Sequence, residues 1–147
     1  MNSSSCSVCW MPHFHDFALI SHICNALAGN GRLVLLSPLT FLARPIIWLE
    51  MIQRYRATHI ACPPFALSLL VRKTRAEQRA QLQLHSISSL LVAADMISGN
   101  VLDEFCDAFA VAVFYQRMLQ ATSGEGRCKG GVHINESNKK ACPNTHY

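Results

Sequence analysis

The residues best suited to chemistry lie close together near the start of the chain, in C-S-V-C-W-M-P-H-F-H-D-F-A-L-I, residues 6–20. Cys6 and Cys9 come first, His13 and His15 flank Phe14, and Asp16 follows at once. Two thiols and two imidazoles are donors that zinc accepts. A structural zinc site, however, wants its ligand pairs about a dozen or more residues apart, so that the chain can wrap the ion. Here only Trp10, Met11 and Pro12 separate the pairs, so no metal site is expected. A histidine beside an aspartate could also belong to a hydrolytic relay, with Asp16 orienting His15 toward a nucleophile. Adjacent residues are poorly placed for that hydrogen bond, and no G-x-S-x-G elbow occurs in the sequence. The remaining use is a polar group at the rim of a substrate pocket, ahead of an apolar helix.

A second stretch, T-S-G-E-G-R-C-K-G-G-V at 122–132, could cradle phosphate through backbone N–H groups. It does not fit G-x-x-x-x-G-K-[ST], and no apolar strand leads into it, so it reads as a flexible glycine-rich segment.

The elements that would position these residues follow a repeating pattern of short apolar run, turn and amphipathic stretch. After the turn Gly29-Asn30-Gly31, Arg32 to Pro38 reads as a strand buried on both faces. Pro45 to Arg56 reads as a helix with Trp48, Met51, Ile52 and Tyr55 on one face, and Pro45 suits its first turn. Thr58 to Pro63 reads as a strand, Pro64 to Lys73 as a helix, and A-E-Q-R-A-Q-L as a short helical connector. A third strand, Ser89 to Asp95, precedes a helix in which Ile97, Val101, Phe105 and Phe109 recur at every fourth position. Strand starts near 33, 58 and 89 leave room for crossover helices. The expected fold is therefore α/β, a parallel sheet with right-handed βαβ crossovers. Ligands of such sheets lie at the carboxyl ends of the strands, where Ser37-Pro38, Cys62-Pro63-Pro64 and Ala94-Asp95 would sit.

Composition narrows the classes. Of 147 residues, 50% are apolar and 15% charged, which suits one globular domain with a real core. The formal charge is +4, and its densest basic patch, Arg72, Lys73, Arg75 and Arg79, has no interleaved aromatic residues. It reads as a solvated helix face, so no nucleic-acid partner is expected. The apolar runs fall short of the ~20 residues of a membrane span, and the start lacks the pattern of a secretory signal. Seven scattered cysteines then read as reduced thiols in a cytoplasmic protein. From residue 115 to 147 no apolar periodicity remains, and the segment reads as a disordered or unrelated tail beyond a domain at 1–114.

Taken together, W-M-P-H-F-H-D-F-A-L-I, S-P-L-T-F-L-A-R-P-I-I-W-L-E, R-Y-R-A-T-H, C-P-P-F-A and S-L-L-V-A-A-D resemble the adenylate-forming acyl ligases. Among them the fatty acyl-AMP ligases and long-chain acyl-CoA synthetases are the nearest in pattern. Members read W-L-P-x-x-H-D-M-G-L-I-G, then S-P-x-x-F-L-x-R-P-x-x-W-L, then P-N-F-A and G-A-E-P. The resemblance runs from about Cys9 to Ala110. It implies a fragment of the large N-terminal domain of an adenylate-forming enzyme. The implied reaction joins a fatty acid and ATP, with Mg²⁺, to give acyl-AMP and pyrophosphate. An acyl carrier protein or CoA then accepts the acyl group.

By position, the resemblance makes His15 the motif histidine beside the reacting groups and Asp16 a helix-starting residue. It places Pro63, Phe65 and Ala66 beside the acyl chain, and Ala93, Ala94 and Asp95 beside adenine. Several positions depart from the family pattern: Ala18 and Ser21 replace glycines, Pro64 replaces asparagine, and Met96 replaces proline. Gln120 stands where a metal-binding glutamate is expected. The resemblance puts the phosphate loop before residue 1 and a mobile C-terminal domain after residue 147. The chain alone is therefore expected to be inactive. The alternative expectation is a non-catalytic remnant that binds lipid or another protein.

Overall fold

The computed structural model describes residues 1–93, 99–109 and 119–121. Five short strands form one sheet: β1 (Cys6–Cys9), β2 (Arg32–Leu35), β3 (His59–Cys62), β4 (Ser89–Val92) and β5 (Leu119–Ala121). Their order is β2-β1-β3-β4-β5, and every neighbouring pair is parallel. The expected α/β class with a parallel sheet is the observed one. The tail expected from residue 115 onward lies outside the described residues, apart from the backbone of β5.

Two sequence expectations need correction. The stretch around Cys6 and Cys9, weighed above only as a ligand pair, is an inner strand with all four residues buried. The strand expected at 32–38 ends at Leu35 and lies at the sheet edge, where Arg32 and Leu35 are exposed. It is not buried on both faces: among the described residues it pairs with β1 alone, and its four side chains are exposed or half-buried. Pro38 cannot donate to a ladder and instead opens helix α3 (Pro38–Ala43).

The path from His15 into the fold is helical but irregular. Helix α1 (Asp16–Ala18) passes through a π-helical segment, Leu19–Cys24, into α2 (Asn25–Ala28). Ser21 Oγ donates back to the Phe17 carbonyl, a bond that competes with regular helix geometry. This run connects β1 to β2 in one direction along the sheet. The return from β2 to β3 passes through α3 and α4 (Ile46–Tyr55) in the other direction. Right-handed crossovers place those two connections on opposite faces.

The face bearing α4 is the main core. Val8, Ile60, Cys62, Leu90 and Val92 cluster there with Trp48, Leu49 and Ile52 of α4, Leu67 and Leu70 of α5 (Pro64–Lys73), and Phe105 of α7 (Gly99–Ala108). Trp48 Nε1 donates to the Val8 carbonyl at 2.9 Å, which ties α4 to β1. The basic patch has a structural part as well. Arg79, in the short helix α6 (Ala76–Ala80), donates to the Val71 and Thr74 carbonyls at 3.0 and 2.7 Å. Its guanidinium also lies 5.4 Å from the Phe109 ring centroid. Arg79 therefore satisfies carbonyls at the end of α5 and covers α7, whereas the sequence suggested a solvated residue.

On the other face, His22 is fully buried in the π segment. Its Nε2 lies 3.3 Å from the Ala61 carbonyl, an acceptor only, so Nε2 carries the proton. Nδ1 then accepts from Ser7 Oγ–H at 2.6 Å. One neutral imidazole thus pins the crossover to both β1 and β3. Burial is the main reason that its pKa falls from 6.5 to about 4, with the Ala61 carbonyl acting in the opposite sense.

The sign of the resulting pH dependence follows from that shift. As pH falls below 6.5 the unfolded chain takes up the proton first, and the folded protein follows only near 4. The stabilisation is complete above pH 6.5 and is lost as pH falls through 4, by about 3 kcal/mol in all. Urea unfolding between those limits is expected to show a falling midpoint, flattened in His22→Gln. His59, which burial shifts the same way, is expected to contribute to the slope left in the variant. A variant as pH-sensitive as the parent would remove His22 as the source.

Candidate functional site

The carboxyl ends of the strands deliver four short segments to one edge of the sheet: Trp10–Met11 after β1, Leu36–Pro38 after β2, Pro63–Phe65 after β3, and Ala93 after β4. That edge is where a parallel sheet offers space for a ligand, because the strands splay there and the chain turns away.

An aromatic stack floors it. Trp10, only 4% exposed, lies face to face with Phe41 at 3.9 Å between centroids and meets Trp48 edge-on at 6.5 Å. Phe65 stands edge-on against Trp10 at 5.9 Å and remains 51% exposed. The extended backbone of Pro63, with φ −73° and ψ 157°, sets the start of α5, and Pro64 fills the first helical position, where no N–H is needed. Of the three expected acyl-side residues, Pro63 and Phe65 reach the surface and Ala66 is fully buried beneath them.

Beside this shelf, a cleft of about 310 Å³ opens between the ends of β1 and β2, lined by Met11, Pro12, His13, Leu35, Leu36, Ser37 and Pro38. Its walls are mostly apolar. His13, weighed above as a possible zinc donor, is exposed and borders this cleft. Trp10 is a residue to which the sequence reading gave no role. The signal for Trp10 was its place directly after a buried four-residue run, which was not recognised as a strand.

His15 caps the helix that starts at Asp16, with its backbone N–H on the Pro12 carbonyl at 3.0 Å. His15 Nδ1 lies 2.9 Å from Asp16 Oδ1, so these neighbours do meet, contrary to the geometric objection raised from the sequence. The Phe17 N–H is 2.8 Å from Asp16 Oδ1 and 3.2 Å from His15 Nδ1. The Phe17 N–H is thus shared between the Asp16 carboxylate and His15 Nδ1 as acceptors, an arrangement that leaves Nε2 for another partner. Among the described residues no serine, threonine or cysteine hydrogen-bonds to His15, so a relay lacks its nucleophile.

The nucleotide-side residues are only partly visible. Ala93 is 9% exposed, and its N–H already donates to the Cys62 carbonyl at 3.4 Å. Ala94 and Asp95 lie outside the described residues. Cys6 and Cys9, three apart on a strand, point to opposite faces of β1 and cannot converge on one ion. Burial pushes the Cys9 thiol up to about 11 and raises Cys6 as well, which keeps both protonated. Among the described residues no group of three or more His, Cys, Asp or Glu could hold a metal ion, and no helix is long and apolar enough to cross a membrane.

Comparison with known proteins gives the geometry a context. The AMP-binding enzyme family matches residues 1–120. A medium-chain-fatty-acid–[acyl-carrier-protein] ligase of Moorena producens (strain JHB) is 37% identical over 122 residues, covering 83% of this chain and 21% of its own length. A putative fatty-acid–CoA ligase of Mycobacterium tuberculosis is 34% identical over 117 residues, 80% of this chain and 20% of its own. The chain thus spans about a fifth of the length of the curated relatives it matches. Among solved structures, a fatty acyl-adenylate ligase from L. pneumophila, in complex with acyl adenylate and pyrophosphate, superposes with a TM-score of 0.80 at 29% identity. That match covers 84% of this chain and 22% of the other. The adenylation domain of a keto acid-selecting NRPS module shares the fold at a TM-score of 0.77 and 18% identity.

The two indoles of the floor give a paired test of its energetics. Trp48 Nε1 has a partner in Val8, whereas Trp10 Nε1 is buried with none among the described residues. Trp48→Phe is expected to lower the free energy of unfolding by about 1–2 kcal/mol more than Trp10→Phe, because only the former strands a buried carbonyl. Equal losses in urea titrations would show that the Val8 bond contributes nothing net.

Proposed function

Because this chain belongs to the AMP-binding enzyme family, we propose that it forms the acyl-side wall of a fatty-acid-activating site. The reaction class is formation of an acyl-adenylate and pyrophosphate from a fatty acid and ATP with Mg²⁺, followed by acyl transfer to an acyl carrier protein or CoA. The observation that carries this reading is the apolar carboxyl edge. Phe65 stands half-exposed on Trp10, and the neighbouring cleft has His13 and Ser37 as its only polar side chains. Such a surface suits a hydrocarbon chain.

On this reading Pro63 and Phe65 contact the acyl chain, and Ala66 sets the depth at which Phe65 sits. His15, oriented by Asp16, presents Nε2 toward the carboxyl end of the substrate. Ala93, Ala94 and Asp95 lie on the adenine side. The described residues do not by themselves fit the triphosphate or its magnesium. The cleft has no lysine, arginine or carboxylate side chain, and the Ala93 N–H is already engaged. That mismatch favours a second reading in part, namely that this chain by itself binds acyl groups without activating them.

Two measurements separate these possibilities. The purified chain is expected to bind a medium- or long-chain fatty acid saturably, with Phe65→Ala weakening binding about fivefold through lost apolar contact. ATP–pyrophosphate exchange is expected to remain at background. Exchange above background would overturn the view that this chain is only a wall of the site. Failure to saturate would sink the acyl assignment itself.

A further inference from the structure

Trp10 holds a buried polar group with nothing to bind. The residue is 4% exposed, and its Nε1–H is closed to water and lacks a hydrogen-bond partner among the described residues. Other buried polar side chains are met: Trp48 Nε1 by the Val8 carbonyl, Ser7 by His22, His22 by the Ala61 carbonyl and Thr74 by the Leu70 carbonyl. A donor left unmet in apolar surroundings is costly, and native interiors keep few of them. That cost is relieved when a ligand brings an acceptor.

The surroundings of the indole limit what that ligand is. Phe41 lies face to face with it, and Trp48 and Phe65 meet it edge-on. Phe41 and Trp48 are 0% and 1% exposed, whereas Phe65 is 51% exposed at the open carboxyl edge. Of the three rings, Phe65 is therefore the one free to swing aside, by the rotamer change that exposed side chains make readily. A group that takes its place touches aromatic walls, so it is largely hydrocarbon. An indole N–H only donates, so the same group also carries an acceptor. A hydroxyl would bring a second proton that none of these rings can receive through a lone pair. A ketone oxygen accepts and needs no further partner. On the proposed reading the carboxyl end of the substrate lies toward His15, so this oxygen belongs within the chain.

We propose that Trp10 Nε1–H selects an acyl chain with an in-chain ketone oxygen, which it meets once Phe65 has swung away. Trp10 is then a specificity-determining residue of the acyl side. The proposal rests on the acyl-binding reading of this edge and adds the class of chain that the edge prefers.

The test titrates the purified chain with dodecanoic acid and with the isomeric dodecanoic acids that carry a single mid-chain ketone. At least one keto acid is expected to bind about tenfold tighter than the plain acid, as a buried hydrogen bond to an otherwise unmet donor allows. The alcohol at that same carbon is expected to show no such gain. In Trp10→Phe the ratio of the two affinities is expected to fall to about one. A second readout uses the unsubstituted chain, whose two tryptophans give two indole N–H resonances in a heteronuclear NMR spectrum. The Trp10 resonance, identified through Trp10→Phe or Trp48→Phe, is expected to move further downfield with the keto acid than with the plain acid. Equal affinity for the plain acid and every keto acid would overturn the preference and leave the acyl reading standing. A keto preference that persists in Trp10→Phe, or leaves the Trp10 resonance where the plain acid puts it, would overturn the role of Trp10. Saturation by none of the acids would remove the acyl reading and this preference together.

Discussion

Four residues of β1 lie inside the sheet, gripped from both sides. On one face Ser7 donates its hydroxyl proton to His22, whose other nitrogen reaches across to the Ala61 carbonyl on β3. On the other, Trp48 donates to the Val8 carbonyl from α4. The strand is too short for its own ladder to hold it firmly, so these side-chain bonds supply much of its fixation. Both lie in buried surroundings, where an unmade hydrogen bond is costly and a made one is shielded from competition with water. Everything at the carboxyl edge depends on that placement. Trp10 and Met11 continue directly from β1, and Phe41 and Phe65 are arranged around Trp10.

The same arrangement explains why the edge is apolar and His15 is outside it. A chain leaving β1 must clear the sheet before it can turn back as a helix, and Trp10, Met11 and Pro12 make that exit. His15 arrives only at the helix start, where its ring and Asp16 share the first free backbone N–H. An imidazole held by a neighbouring carboxylate at a helix N-terminus is oriented but still accessible. On the proposed reading, that combination leaves the ring free to meet the polar end of a substrate.

Much of this was legible from residue patterns. Helix α5 begins and ends where Pro64 and Lys73 mark it, and α4 falls within one residue of the expected Pro45–Arg56 at each end, because proline and apolar periodicity are strong local signals. The parallel class followed from the spacing of apolar runs. What escaped depends on contacts distant in sequence. C-S-V-C is too short to show a period, and its central place comes from neighbours at 32–35 and 59–62. His22 stands in the sequence as one polar residue within an apolar run. Its burial makes sense only with Ser7 and Ala61 beside it. Arg79 looked solvated because its acceptors are main-chain carbonyls, which no sequence pattern displays. Of the candidate site, the parallel-sheet reading put Pro63 at the edge and the family resemblance added Phe65, whereas the cleft between β1 and β2 needed β1 to be known.

The strand order β2-β1-β3-β4-β5 also constrains how the chain comes to be folded. Of the five described strands β1 is made first, yet neither of its ladders can form until residues 32–35 have been synthesised, and its second waits for 59–62. No hairpin is available to start the sheet, since every pairing is parallel and each requires closing a long loop before any contact rewards it. The nascent chain therefore carries C-S-V-C-W-M unpaired until residues 32–35 are made, and with one edge still open until 59–62 follow. During that interval β1 is an exposed template for wrong partners, so the risk of misassembly falls on the segment that later becomes the most enclosed.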